Sequence, residues 1–147
     1  MNSDDIIDLL NNLVQLDIDA IQAYDQAIQH IKETEIKQKL IEFQHDHQRH
    51  VFELSKEIKE LGGIPPKDTD IKGFFLESFT ALRGLLGGTS AALKAMRSNE
   101  ELTNKTYKEA LDQSLPLNIK SLIEKNYLDE RKHLAYIDHK LSMEEEG

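Results

Sequence analysis

The chain has 147 residues, of which 39% are hydrophobic and 31% charged, with a net charge of −9 and no cysteine. This is enough apolar residue to bury one core, so a disordered chain is not expected. The missing cysteine excludes disulfides, thiolate metal sites, cysteine nucleophiles and iron–sulfur clusters, and the acidic balance argues against nucleic acid as a partner, which needs a basic face to displace counterions.

The first residues, Met1-Asn2-Ser3-Asp4-Asp5, are acidic where a secretory signal is positive. No apolar run reaches the roughly 18 residues of a membrane span. A cytoplasmic location is therefore expected and membrane attachment is not. Apolar residues recur at spacings of three and four, with glycine and proline gathered between these stretches, so the chain reads as a single domain of helices. Its parts are a helical hairpin over 3–61, a crossover over 62–88 and a second hairpin over 89–143.

Helix one is predicted to start at a Ser3 cap, and its buried stripe runs Ile7, Leu10, Leu13, Asp17, Ala20, Tyr24, Ala27, Ile31. A carboxylate sits at the middle of this apolar face. Helix two, predicted over Thr34 to Leu61, has the stripe Ile36, Leu40, Phe43, His47, His50, Leu54, Ile58, Leu61, with two histidines at its middle, and stops at Gly62-Gly63. The crossover is expected to hold a short helix from Asp70 to about Leu86. Its apolar run from Gly73 to Leu82 suits covering the bundle or packing on a second copy, in preference to a membrane surface.

Helix three, after a cap at Thr89 or Ser90, has the stripe Leu93, Met96, Glu100, Thr103, Tyr107, Ala110, Ser114. Helix four begins near Pro116, with the stripe Ile119, Ile123, Asn126, Glu130, His133, Ile137, Leu141 and a frayed acidic tail from Met143. Two short turns around one long crossover give an all-α antiparallel four-helix bundle.

The two hairpins repeat each other at a constant offset of 83 residues, and the repeat lands on metal-ligand chemistry. Asp17 maps to Glu100, Tyr24 to Tyr107, Asp46 to Asp129, Arg49 to Lys132 and His50 to His133. Residues of an antiparallel hairpin share a height when they are equally far from the turn. Asp17 and His50 are equidistant from Glu33-Thr34, and Glu100 and His133 from Pro116-Leu117. His47 and Glu130 lie one turn away on the same faces. Six ligand-type side chains, Asp17, His47, His50, Glu100, Glu130 and His133, are thus expected to point inward together.

Desolvating carboxylates without compensation is costly. A divalent metal compensates, and oxygen and imidazole ligands suit iron first, with manganese or zinc as alternatives, as one or two ions. A hydrogen-bonded network of acids and histidines without metal is the competing account. His30, His45 and His139 lie off the stripes or near helix ends and are expected to face solvent.

These residues resemble the motifs of the ferritin-like superfamily, rubrerythrin type, in which helices one and three carry Glu-x-x-Ala-x-x-x-Tyr and helices two and four carry Glu-x-x-His. Here the segments read Asp17-x-x-Ala20-x-x-x-Tyr24, His47-x-x-His50, Glu100-x-x-Thr103-x-x-x-Tyr107 and Glu130-x-x-His133. Asp46-His47-Gln48-Arg49-His50 followed by Leu61-Gly62-Gly63-Ile64-Pro65 is similar to a bacterial rubrerythrin-like four-helix-bundle family of unknown function. The resemblance implies a di-metal carboxylate site with Tyr24 and Tyr107 hydrogen-bonded to its ligands, and a role in metal handling or oxidative stress. A di-iron oxidase or peroxidase, and a structural bundle without catalytic metal, are the alternatives; a homodimer is compatible with each.

His47 stands where that family has a bridging glutamate. A neutral imidazole has one lone pair and cannot bridge two ions, so His47 is expected to be a terminal ligand and Glu130 the one carboxylate bridge. A single ion on Glu100, Glu130 and His133 is the other expected outcome.

Overall fold

A computed structural model describes residues 1–67 and 88–146. Among these residues there are four helices and no strand: α1 (Ser3–Gln29), α2 (Thr34–Glu60), α3 (Gly88–Leu111) and α4 (Leu117–Glu146). The short helix and apolar run expected in the crossover lie outside the described residues.

Each helix end has a local cause. The cap of α1 is Asn2 rather than Ser3: its side-chain oxygen accepts from the Asp5 amide at 2.8 Å, while Asp4 and Asp5 sit favourably in the positive first turn. Helix α2 ends where Gly62 turns to φ +89°, and the Gly63 amide donates to the Ile58 carbonyl at 2.8 Å, closing the last carbonyls. Gly63 also needs to be small, because a Cβ there would stand 2.8 Å from Ile7 Cγ2 and 3.0 Å from Ile58 Cγ2. Pro116 precedes α4, and its carbonyl accepts the first helical bond, from Lys120 at 2.9 Å. Helix α3 stops at Leu111, so Ser114 is exposed and not part of a buried stripe. Helix α4 runs on through the expected frayed tail to Glu146.

Helices α1 and α2 form one antiparallel hairpin and α3 and α4 the other. The hairpins meet most closely through α1 and α3, where Ala23, Ala27, Ala92 and Ala95 fall in one buried cluster and their small side chains let the backbones approach. Helices α2 and α4 touch less. Two apolar clusters fill the ends of the bundle. One includes Leu10, Leu13, Leu54, Ile58, Ile119 and Ile123; the other includes Ile36, Leu40, Met96, Ile137 and Leu141. Between them lies a polar layer that water does not reach.

Candidate metal centre

Asp17, His47, His50, Glu100, Glu130 and His133 are each 0% exposed, and all six meet in that layer. The heights inferred from the hairpin turns therefore hold for every one of them. They form two overlapping groups, Asp17/His47/His50/Glu130 and His47/Glu100/Glu130/His133, within each of which the ligand atoms lie within 4.8 Å of one another. His47 and Glu130, which correspond in the repeat, are the shared members.

Both central residues face both halves. Glu130 turns Oε1 toward His50 Nδ1 at 3.1 Å and Oε2 toward His133 Nδ1 at 3.5 Å. His47 places Nδ1 2.6 Å from Asp17 Oδ1 and Nε2 2.9 Å from Glu100 Oε1. A carboxylate that is ionised only accepts, so both nitrogens of His47 carry hydrogen and the ring is an imidazolium in the metal-free state. The expectation of a single lone pair aimed at one ion thus describes His47 only after it loses a proton.

The outer contacts cross from one half of the repeat to the other. Tyr24 donates to Glu100 Oε1 at 2.8 Å and Tyr107 to Asp17 Oδ2 at 2.6 Å. His133 Nε2 donates to Asp46 at 2.8 Å and His50 Nε2 to Asp129 at 2.9 Å. Carboxylates holding the outer ring nitrogen leave Nδ1 of His50 and His133 facing the layer, the arrangement usual for metal-bound imidazole. Arg49 pairs with both Asp46, at 3.1 Å, and Asp129, joining the two carboxylates over the α2–α4 side. Thr103 donates to Glu130 Oε2 at 3.1 Å, and the Asn104 amide ties the Glu100 and Glu130 backbone carbonyls at 2.7 and 3.0 Å.

The charges in this layer hold one another. Burial alone would raise the Asp17 and Glu100 carboxyls, but the adjacent His50 and His47 for the first, and His133 and His47 for the second, hold both below the usual range. Burial would lower the histidines, yet Glu130 and Glu100 raise His47 to about 10, Asp17 and Asp129 raise His50 to about 11, and Glu100 with Asp46 raises His133 well above 6.5. Glu130 is raised, chiefly by burial, with His47 opposing. Both tyrosine hydroxyls stay protonated, pushed up by burial and the neighbouring carboxylates.

Two ligand atoms remain without a hydrogen-bond partner among the described residues, His133 Nδ1 and Glu130 Oε1. Glu130 Oε1 is 3.1 Å from His50 Nδ1 but not in hydrogen-bonding alignment. Neighbouring ligands on one ion at about 2.1 Å stand about 3 Å apart; contacts among the ligand atoms here include His47–Asp17 at 2.6 Å, His50–Glu130 at 3.1 Å and His133–Glu130 at 3.5 Å, and all atoms of a group lie within 4.8 Å of one another. The residues fit a divalent cation by donor type and by the convergence of their ligand atoms.

The sequence marks Asp46, Asp129 and Arg49 only as positions related by the repeat, and that relation is the signal it holds for their contacts with the histidines. It gave no signal for Asn104. His45 and His139 are exposed as expected, and His30 is half-buried with Nδ1 2.7 Å from the Gln26 carbonyl. No described helix is long and apolar enough to cross a membrane.

Residues 5–113 match the family model described as "Domain of unknown function (DUF2383)". No curated protein matches the chain. Among solved structures, it is similar to a ferritin-like, diiron-carboxylate protein from Bacillus anthracis str. Ames, with a TM-score of 0.69 and 23% identity over 96% of this chain and 99% of that one. That likeness shows the ferritin-like fold.

Proposed function

The chain belongs to the DUF2383 family, and on that footing we propose that it is a ferritin-like metal-binding protein of the rubrerythrin type, acting in metal handling or oxidative-stress response. The observation that carries this is the buried layer of six acids and histidines, whose ligand-type atoms fall in two overlapping groups with all atoms of a group within 4.8 Å of one another. Asp17, His50, Glu100 and His133 would hold the outer positions, with Glu130 offering one oxygen to each half. Iron is the first candidate, manganese and zinc the alternatives, as one or two ions. Bound iron would supply one-electron redox chemistry toward oxygen or peroxide.

The protein's own part is to position and to exclude water. Tyr107 and Tyr24 fix the carboxylates of Asp17 and Glu100, and Thr103 holds Glu130. Asp129 and Asp46 orient His50 and His133 so that Nδ1 points inward. Two apolar ends keep the layer dry and so strengthen each of these contacts.

Compared with the motif it resembles, the layer has three carboxylates and three histidines. The extra neutral ligand favours a lower ionic charge, and thus metal handling over an oxidase or peroxidase cycle through an oxidised pair. A structural bundle is the second reading, favoured by the mutual pairing of Asp17, His47 and Glu100. Elemental analysis of protein purified without a metal-affinity tag, after growth with iron or manganese, separates them. Stoichiometric metal is expected; less than a tenth of an equivalent under both conditions would end the metal reading. Two irons with a near-ultraviolet oxo band would favour the oxidase.

A further inference from the structure

A ligand layer that water does not reach still needs a way in for an ion, and the flanks of the bundle differ. Tyr24, Tyr107 and Thr103, which touch the ligand carboxylates from α1 and α3, are as fully buried as the ligands themselves. Small residues bring α1 and α3 close, and apolar clusters seal both ends. Within each hairpin the helices pack closely, and α2 and α4 touch least. On that last flank one side chain separates each histidine from solvent. Asp129, 21% exposed, accepts from His50 Nε2 at 2.9 Å, and Asp46, 29% exposed, accepts from His133 Nε2 at 2.8 Å.

Arg49 lies across this opening. Its Nη1 pairs with Asp46 Oδ1 at 3.1 Å, its Nε with Glu53 Oε1 at 3.2 Å and its Nη2 with Asp129 Oδ2, and Nη2 also stands 3.5 Å from His50 Nε2. One guanidinium thus holds both carboxylates that orient the ligand histidines. Its counterpart in the repeat, Lys132, is exposed on α4. The Arg49 side chain is itself 39% exposed, and ion pairs so open to water are weak, so it can swing outward without disturbing a helix.

We propose that metal enters the layer between α2 and α4, and that Arg49 is the gate on this route. The inference rests on the metal-binding reading above. In place, the guanidinium opposes an approaching divalent cation by its charge and occupies Oδ1 of Asp46 while Oδ2 holds His133. Swung outward, it leaves Asp46 and Asp129 facing solvent together, where they attract the ion and pass it inward between His50 and His133. Arg49 therefore sets how fast the site fills and empties, and has no place among the ligands.

Cobalt(II) mixed rapidly with the metal-free full chain, and followed by its visible bands, measures uptake; chelator added to the loaded chain measures release. Arg49→Met keeps the reach of the side chain and removes its charge. It should speed uptake about tenfold, with release faster in proportion and the final cobalt content that of the parent. Salt separates a gate from a loosened bundle. In the parent, salt both frees Arg49 and screens the ion, so uptake should change little; in Arg49→Met only the screening remains, and uptake should slow as salt is added. Lys132→Met should keep the parent rate. Uptake no faster in Arg49→Met, including the case where release alone quickens, overturns the gate and leaves the metal reading standing. Faster uptake with the parent's salt dependence, or an equal gain in Lys132→Met, also overturns it. A parent that binds no cobalt overturns both readings.

Discussion

Replacing His47 by glutamate tests the charge logic of the buried layer from two sides. In the metal-free protein His47 donates to Asp17 at 2.6 Å and to Glu100 at 2.9 Å, and it lies 3.4 Å from Glu130. His47→Glu removes two charge-assisted hydrogen bonds, each worth about 1.5–3 kcal/mol, and puts a fourth carboxylate among the other three. The metal-free variant should therefore lose about 3–6 kcal/mol, which for a chain of this size lowers Tm by roughly 10–20 °C. With metal the sign reverses, because the new carboxylate can bridge two ions where the imidazole cannot. Metal content should rise toward two per chain, and the metal-bound Tm should return to or exceed that of the parent. Thermal unfolding followed by circular dichroism, with and without chelator, and elemental analysis on the same preparations read both arms. A metal-free variant as stable as the parent, or one that holds less metal, would refute the placement of His47 between two ion positions.

The metal-free protein should be most stable between about pH 4.5 and 6.5. The raised histidines, His47 at about 10 and His50 at about 11, contribute fully below their unfolded value of 6.5 and lose that contribution as pH climbs through their folded values. The depressed carboxyls of Asp17 and Glu100 contribute fully above their unfolded values of 3.8 and 4.5 and lose it as pH falls, with Glu130 partly opposing them. Urea midpoints from pH 3 to 10 check this, and a midpoint that rises from pH 7 to 10 contradicts it. Metal affinity should instead increase with pH over the same span, because binding displaces the imidazole protons; chelator competition measures it. Asp129→Asn and Asp46→Asn should each weaken metal binding about 10–100-fold by loosening His50 and His133, with the fold intact by circular dichroism. Gly63→Ala should cost about 1–3 kcal/mol without altering metal content, since its methyl would meet Ile7 and Ile58.

The six buried ligands were legible because each hairpin fixes its own heights: the distance of Asp17 and His50 from the turn at Glu33-Thr34 is a property of the sequence alone. How one hairpin sits against the other is not. The crossing contacts of Tyr24 with Glu100 and Asp129 with His50 depend on the rotation of two hairpins about a shared axis, and the length of the crossover does not determine that rotation. Asp46 and Asp129 flank the stripes, a position compatible both with surface pairs and with contacts behind the ligands. They are half-buried because α2 and α4 are spaced widely enough to admit them and Arg49. The cap at Asn2 was missed by one residue, since Asn and Ser are nearly equivalent capping residues and stand side by side.

Because Tyr24, Tyr107, Asp46 and Asp129 each serve a ligand from the opposite hairpin, neither hairpin carries a finished half-site. A separated hairpin would expose three acids and imidazoles with their orienting partners gone. Affinity for metal should therefore appear at the last stage of folding, when the hairpins come together, and an early intermediate would have little means of capturing a stray ion in the wrong geometry.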